Sequence, residues 1–93
     1  MFVGIVRIEL HIPGSSSLKD KRSVVRSLKE RIRSRVHAAV AEVDHQDLWQ
    51  RAALGVCVVS GEMRQVDEMM QAVRNVVDTV PAAQVLDWQE QRV

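Results

Sequence analysis

Ser17-Leu18-Lys19-Asp20-Lys21-Arg22-Ser23-Val24-Val25-Arg26-Ser27-Leu28-Lys29-Glu30-Arg31-Ile32-Arg33-Ser34-Arg35 is the stretch on which the fold turns. At 100° per residue, Leu18, Val24, Val25, Leu28 and Ile32 form one stripe, the pattern of a helix buried along one side. Ser17 with Asp20 three residues later makes a capping-box-like start: the hydroxyl can accept from a free backbone N–H, and the carboxylate faces the positive helix end. The helix is therefore expected from Leu18. Arg22, Arg26, Lys29 and Arg33 form a ridge beside the stripe. Lys21 falls inside the stripe, where its stem is expected to pack while its ammonium reaches the protein's edge.

The same stretch concentrates charge. Of thirteen Lys and Arg in the chain, eight lie between Lys19 and Arg35, opposed there only by Asp20 and Glu30, a net charge of +6. The remaining five basic and ten acidic residues carry −5, so the formal net charge of +1 conceals a strong internal polarity.

Working outward, Phe2 to Ile12 alternates as a strand, with Phe2, Val6, Ile8, Leu10 and Ile12 on one face and Arg7, Glu9 and His11 on the other. Gly4 on the inner face predicts close approach of a helix or a bend. Pro13-Gly14-Ser15-Ser16 forms a turn before the helix. After it, Val36 to Asp44 reads as a second strand whose alternation slips at Ala41 and Glu42, as a bulge would cause. Residues 45 to 50 connect to Ala52 to Ser60, an almost wholly apolar run expected of a central strand. A second helix follows, with Val66, Met69, Met70, Val73, Val77 and Val80 at helical spacing until Pro81, the methionines filling core. Ala83 to Glu90 reads as a last strand, Val85 on one side and Leu86 and Trp88 on the other.

The order βαββαβ predicts an α+β, ferredoxin-like sandwich: two helices on one face of a four-stranded antiparallel sheet, in the order 4-1-3-2. With 93 residues there is room for one domain, residues 1–93. Val3, Ile5, Cys57, Val59 and Trp88 are candidates for the uncovered sheet face, and an apolar open face marks an interface. Cys57, the single cysteine, excludes an internal disulfide and a multi-thiolate metal site, and its apolar run predicts a small buried hydrophobe. No apolar run approaches the ~20 residues of a membrane span, and no signal segment is evident, so a cytoplasmic location is expected.

Ser17 to Leu28, together with Val40-Ala41-Glu42-Val43-Asp44-His45-Gln46-Asp47-Leu48-Trp49-Gln50-Arg51-Ala52, resembles the YlxP-like family of small bacterial proteins. The resemblance covers nearly the whole chain. It implies a ferredoxin-like fold and a bacterial cytoplasmic location. Genes of that family often lie beside those for translation initiation and ribosome maturation, including ribosome-binding factor A, which implies an RNA or ribosome role. Val36-His37-Ala38-Ala39 replaces the Phe-Asn-Val-Ser-like run more usual there, which lightens the core.

The candidate binding residues are Lys19, Lys21, Arg22, Arg26, Lys29 and Arg33. The ridge from Arg22 to Arg33 runs roughly 16 Å at the helical rise, enough to follow several backbone phosphates. The plainer reading is a solvated face on which Arg26 and Glu30 form an i,i+4 pair. Charge segregation favours nucleic acid. With no Tyr, one Phe and two Trp, base stacking on the sheet is not expected; the partner would be structured RNA or the ribosome, held through phosphates. The Asp44, His45, Gln46, Asp47, Leu48, Trp49 loop holds an imidazole near carboxylates, as an acid–base site would. The reading favoured over it is a turn in which Asp47 accepts backbone N–H groups while Leu48 and Trp49 anchor the loop to the fold or a partner. The three histidines lack paired metal-ligand spacing. A non-enzymatic module without metal or cofactor is expected, with a homodimer through the open sheet and Trp49 as the alternative.

Overall fold

The alternation that puts Val6, Ile8 and Leu10 on one side is realised as β1, Phe2–His11, in the computed structural model, which describes residues 1–93. α1 follows over Leu18–Arg35, β2 over Ala39–Asp44, β3 over Arg51–Ser60, α2 over Met63–Asp78 and β4 over Gln84–Arg92. The strands pair antiparallel in the order β2-β3-β1-β4, the expected 4-1-3-2 read from the opposite edge. α1 packs over β2 and β3 and α2 over β1 and β3, on the same face of the sheet.

Between sheet and helices lie Val6, Ile8 and Leu10 of β1, Leu54, Val56 and Val58 of β3, Val25, Leu28 and Ile32 of α1, and Val66, Met70, Val73 and Val77 of α2. Each such side chain stabilises the fold by ~1.5–3 kcal/mol relative to exposure, so this layer dominates the energetics. Gly4 confirms the close approach its position predicts. A Cβ there would stand 2.5 Å from Met70 Sδ and 2.8 Å from Val66 Cγ1, so the helix can sit this low only over glycine.

Four expectations are corrected. Val36 does not open the second strand: it caps α1, donating its N–H to the Ile32 carbonyl at 2.9 Å, and β2 begins at Ala39. Trp88 does not share a side with Leu86. A bulge at Leu86 shifts the register between Glu9↔Asp87 and Leu10↔Val85, so Val85 and Trp88 both pack on the core, and Trp88 lies 4.8 Å below the Arg74 guanidinium. Cys57 is exposed, because its partner across the ladder is Ile5 on the outer face. Phe2, at the strand end beyond the helices, is 38% exposed.

The slip read at Ala41 and Glu42 is a bulge centred on Val43. Glu42 pairs with Leu54 on the helix-facing side, yet Asp44 pairs with Ala53 on the other. Val43 Cγ1 leans over Gly55, where a Cβ would meet it at 2.9 Å. The uncovered sheet face therefore has two halves. Val3, Ile5, Ala39, Cys57 and Val59 lie at one end; Arg7, Glu9, Asp44 and Arg51 lie at the other. No helix is long and apolar enough to cross a membrane.

Candidate nucleic-acid interface

α1 starts as its cap predicts. Ser17 Oγ accepts the Asp20 N–H at 3.0 Å, and Asp20 Oδ2 accepts the Ser16 N–H at 3.0 Å and the Ser16 hydroxyl at 2.9 Å. The Ser16 backbone N–H, then its hydroxyl, hold the Asp20 carboxyl below its ordinary 3.8. At the other end, Arg33 donates to the Val40 carbonyl at 2.9 Å and ties the last turn to β2.

Between these anchors the cations are unmatched. Lys19, Arg22, Arg26, Arg31, Arg33 and Arg35 are exposed and Lys29 is half-buried, and none of the seven touches a carboxylate. The Arg26–Glu30 pair of the plainer reading does not form. Elsewhere every basic residue is paired: Arg7 and Arg51 with Glu9, Arg64 with Glu68, Arg74 with Asp78, Arg92 with Asp67 and Glu90.

Lys21 is the exception within α1, and it corrects the sequence reading. Its side chain is wholly buried rather than reaching the edge. Nζ donates to Glu42 Oε2 at 2.9 Å, to the His45 carbonyl at 2.8 Å and to the Gln46 carbonyl at 3.0 Å. Three protons meet three acceptors, so the ammonium is saturated and unavailable to a phosphate. Its work is to hold the turn that follows β2.

That turn is built differently from either sequence reading. Asp44, not Asp47, accepts the backbone N–H, from His45 at 2.8 Å. His45 adopts φ 63°, the left-handed region, and its Nε2 lies 3.1 Å from Glu9 Oε2. The Leu48 N–H donates to the His45 carbonyl at 3.0 Å and closes the turn, while the Leu48 and Trp49 side chains are 48% and 56% exposed. On the outer sheet face Glu9 thus gathers His45, Arg7 at 3.2 Å and Arg51 at 3.5 Å, while Arg7 also meets Asp44 at 3.2 Å. Burial alone would raise the Glu9 carboxyl, but hydrogen bonds from Arg7 and His45 outweigh it and hold the group below its ordinary 4.5. Asp44 is held below 3.8, first by the His45 N–H and then by Arg7. No three His, Cys, Asp or Glu side chains converge in a metal-binding arrangement.

Sequence reasoning misses two sets of residues. Arg31 and Arg35 fall off the ridge on a helical wheel, and only helix pairing shows that they border α2. Arg7 and Glu9 read as ordinary polar strand positions, which the period-two alternation places outward but not together, and Arg51 falls just before the run read as the third strand, which in fact begins with it.

Known proteins resemble the chain in sequence and in fold. A family model described as Protein of unknown function (DUF503) matches residues 3–90. The uncharacterized protein YlxP of Bacillus subtilis (strain 168) is 30% identical over 79 residues, spanning 85% of this chain and 86% of that protein. A de novo designed protein with a ferredoxin fold, solved by NMR, superposes with a TM-score of 0.56 over 100% of this chain and 84% of its own, at 9% identity, a likeness of fold alone. The family model and the relative agree: the chain belongs to the DUF503, or YlxP-like, family of proteins of unknown function.

Proposed function

We propose that the protein binds structured RNA, in the setting of the ribosome, by laying the cationic surface of α1 against backbone phosphates. The observation that carries this reading is the contrast in pairing: seven of the eight cations between Lys19 and Arg35 have no carboxylate partner, whereas all five basic residues elsewhere do. An unmatched cluster keeps its field for an external polyanion, and each phosphate it neutralises releases condensed counterions. The binding surface comprises Lys19, Arg22, Arg26, Lys29 and Arg33; Lys21 supports it from below. Trp88 faces the helices and Phe2 sits at a strand end, so the sheet offers no stacking platform for single-stranded bases. The reading therefore favours a helical RNA gripped by shape and charge.

Filter binding to ribosomal RNA fragments across a salt series tests it. Arg22→Glu, Arg26→Glu and Lys29→Glu together should weaken binding and flatten the logarithmic salt slope by about three, one for each phosphate no longer neutralised. Unchanged affinity in the triple variant overturns the reading.

A second reading rests on the other layer. Val3, Ile5, Cys57 and Val59 form an apolar patch beside paired charges of both signs, Arg7 with Glu9 and Asp44. A two-fold related copy of this chain could cover that patch with its own, since an isologous interface requires only self-complementarity. Sedimentation decides it: Val59→Asp should abolish self-association, and a wild-type protein that is monomeric at high micromolar concentration removes the dimer. The two surfaces lie on opposite layers, so a dimer would leave α1 free.

A further inference from the structure

Between α1 and α2 lies a cleft of about 380 Å³, toward the small end of the ~300–1,000 Å³ usual for ligand sites. Ala72 and Val76 contribute its apolar lining; Arg31, Ser34 and Arg35 come from α1, Asn75 from α2 and Thr79 from the cap that ends α2. Its hydrogen-bonding capacity is biased toward donors. Neither arginine touches a carboxylate. Asn75 Oδ1 already accepts from Gln71 Nε2 at 3.0 Å, which leaves the Asn75 amide NH2 free to donate. The Thr79 and Ser34 hydroxyls donate their protons to the Val76 and Arg31 carbonyls, at 2.6 and 2.9 Å, so the cleft's donors are the two guanidiniums and the amide. The acidic groups flanking this part of α2 are engaged elsewhere, Glu68 with Arg64 at 3.6 Å and Asp78 with Arg74 at 3.3 Å. Two unmatched guanidiniums and an amide donor around one small cleft suit the oxygens of a single phosphate, since guanidinium binds phosphate through paired N–H groups.

We propose that this interhelical cleft is a phosphodiester-binding site, in which Arg31, Arg35 and the Asn75 amide together hold one backbone phosphate of an RNA duplex. The proposal rests on the reading of α1 as an RNA-binding surface and adds to it a fixed point. The ridge can slide along a duplex; a phosphate seated between two helices fixes where α1 lies. Arginines in a final helical turn also stabilise the helix through its dipole, but that role changes stability and leaves the number of phosphates neutralised untouched.

Sharing is what makes the site testable. If Arg31 and Arg35 hold the same phosphate, the double variant R31Q/R35Q should flatten the salt slope by about one, and R31Q and R35Q should each flatten it by less, because the remaining guanidinium still faces that phosphate; two phosphates held separately would give about one for each single variant and about two for the double variant. The probe is an RNA duplex of about 16 base pairs and arbitrary sequence, the span of a typical double-stranded RNA site, titrated into the full chain by nitrogen–proton correlation spectroscopy and by filter binding. The Asn75 side-chain amide resonances should move on binding and stay still in R31Q/R35Q, while thermal unfolding of these variants remains near wild type. A duplex that binds without moving Asn75, or a double variant whose slope falls by two or not at all, overturns the cleft site and leaves the ridge standing. A duplex that does not bind at all at low salt overturns both.

Discussion

Every arginine outside residues 19–35 touches a carboxylate, while inside that stretch only Lys21 does. The same side-chain chemistry serves two purposes. On the outer sheet face Arg7 and Arg51 converge on Glu9 while Arg7 also meets Asp44, so two cations stand against two carboxylates and the face presents hydrogen bonds and little field. On α1 the cations repel one another with only Asp20 and Glu30 among them to offset the charge, which costs a little folding stability and preserves attraction for an anionic partner. Lys21 marks the border: next to Arg22 in the chain, it is wholly buried and belongs to the structural set.

The sharpest way to break this contrast is Lys21→Met. Removing the ammonium leaves Glu42 and two backbone carbonyls without their donor, and loss of one partner of a buried ion pair costs about 3–5 kcal/mol. Denaturant unfolding should show that loss, while Arg22→Met, on the exposed ridge, should stay within about 0.5 kcal/mol of wild type. Equal costs for the two would erase the border.

A smaller effect concerns acid. Glu9, Asp44 and Asp20 are all held below their ordinary values, so the folded state keeps them ionised to lower pH than the unfolded chain does. Their contribution is present above the ordinary values of 4.5 and 3.8 and is lost as pH falls through the lowered ones. Unfolding free energy should therefore decline below about pH 4.5, more shallowly in Glu9→Gln. A Glu9→Gln protein with the wild-type acid slope would show that the outer-face cluster does not bind its carboxylate tightly.

The smallest effect is an expected absence of change. Arg64→Gln with Arg74→Gln removes two cations that already have partners, and the salt slope for RNA should stay within about half a unit of wild type. A drop as large as that from two ridge arginines would mean that net charge, not the unmatched surface, governs binding.

Much of the fold is legible in the sequence because it is written in periodicity. The alternation of Val6, Ile8 and Leu10, the stripe through Val25, Leu28 and Ile32, and the Ser17–Asp20 cap each follow from local geometry. What periodicity does not show is register. It misplaces Trp88 because a bulge at Leu86 leaves no mark in one strand read alone. It makes Lys21 a snorkelling side chain because the acceptors of its ammonium lie more than twenty residues away. A hint exists in Glu42, a carboxylate two residues from Val40 on the inward phase of β2, which needs a buried cation to accompany it. The cleft arginines require two helices to be docked before Arg31 and Arg35 can be seen together.

β2 forms one edge of the sheet. An uncovered strand invites another chain to extend the ladder, and this one is short, six residues, kinked at Val43, and has its Val40 carbonyl occupied by Arg33. A strand arriving from a neighbouring molecule would meet a shortened ladder, a spent acceptor and a positively charged guard. The final turn of α1 thus discourages runaway sheet polymerisation, a safeguard for a small protein whose other sheet face stands open.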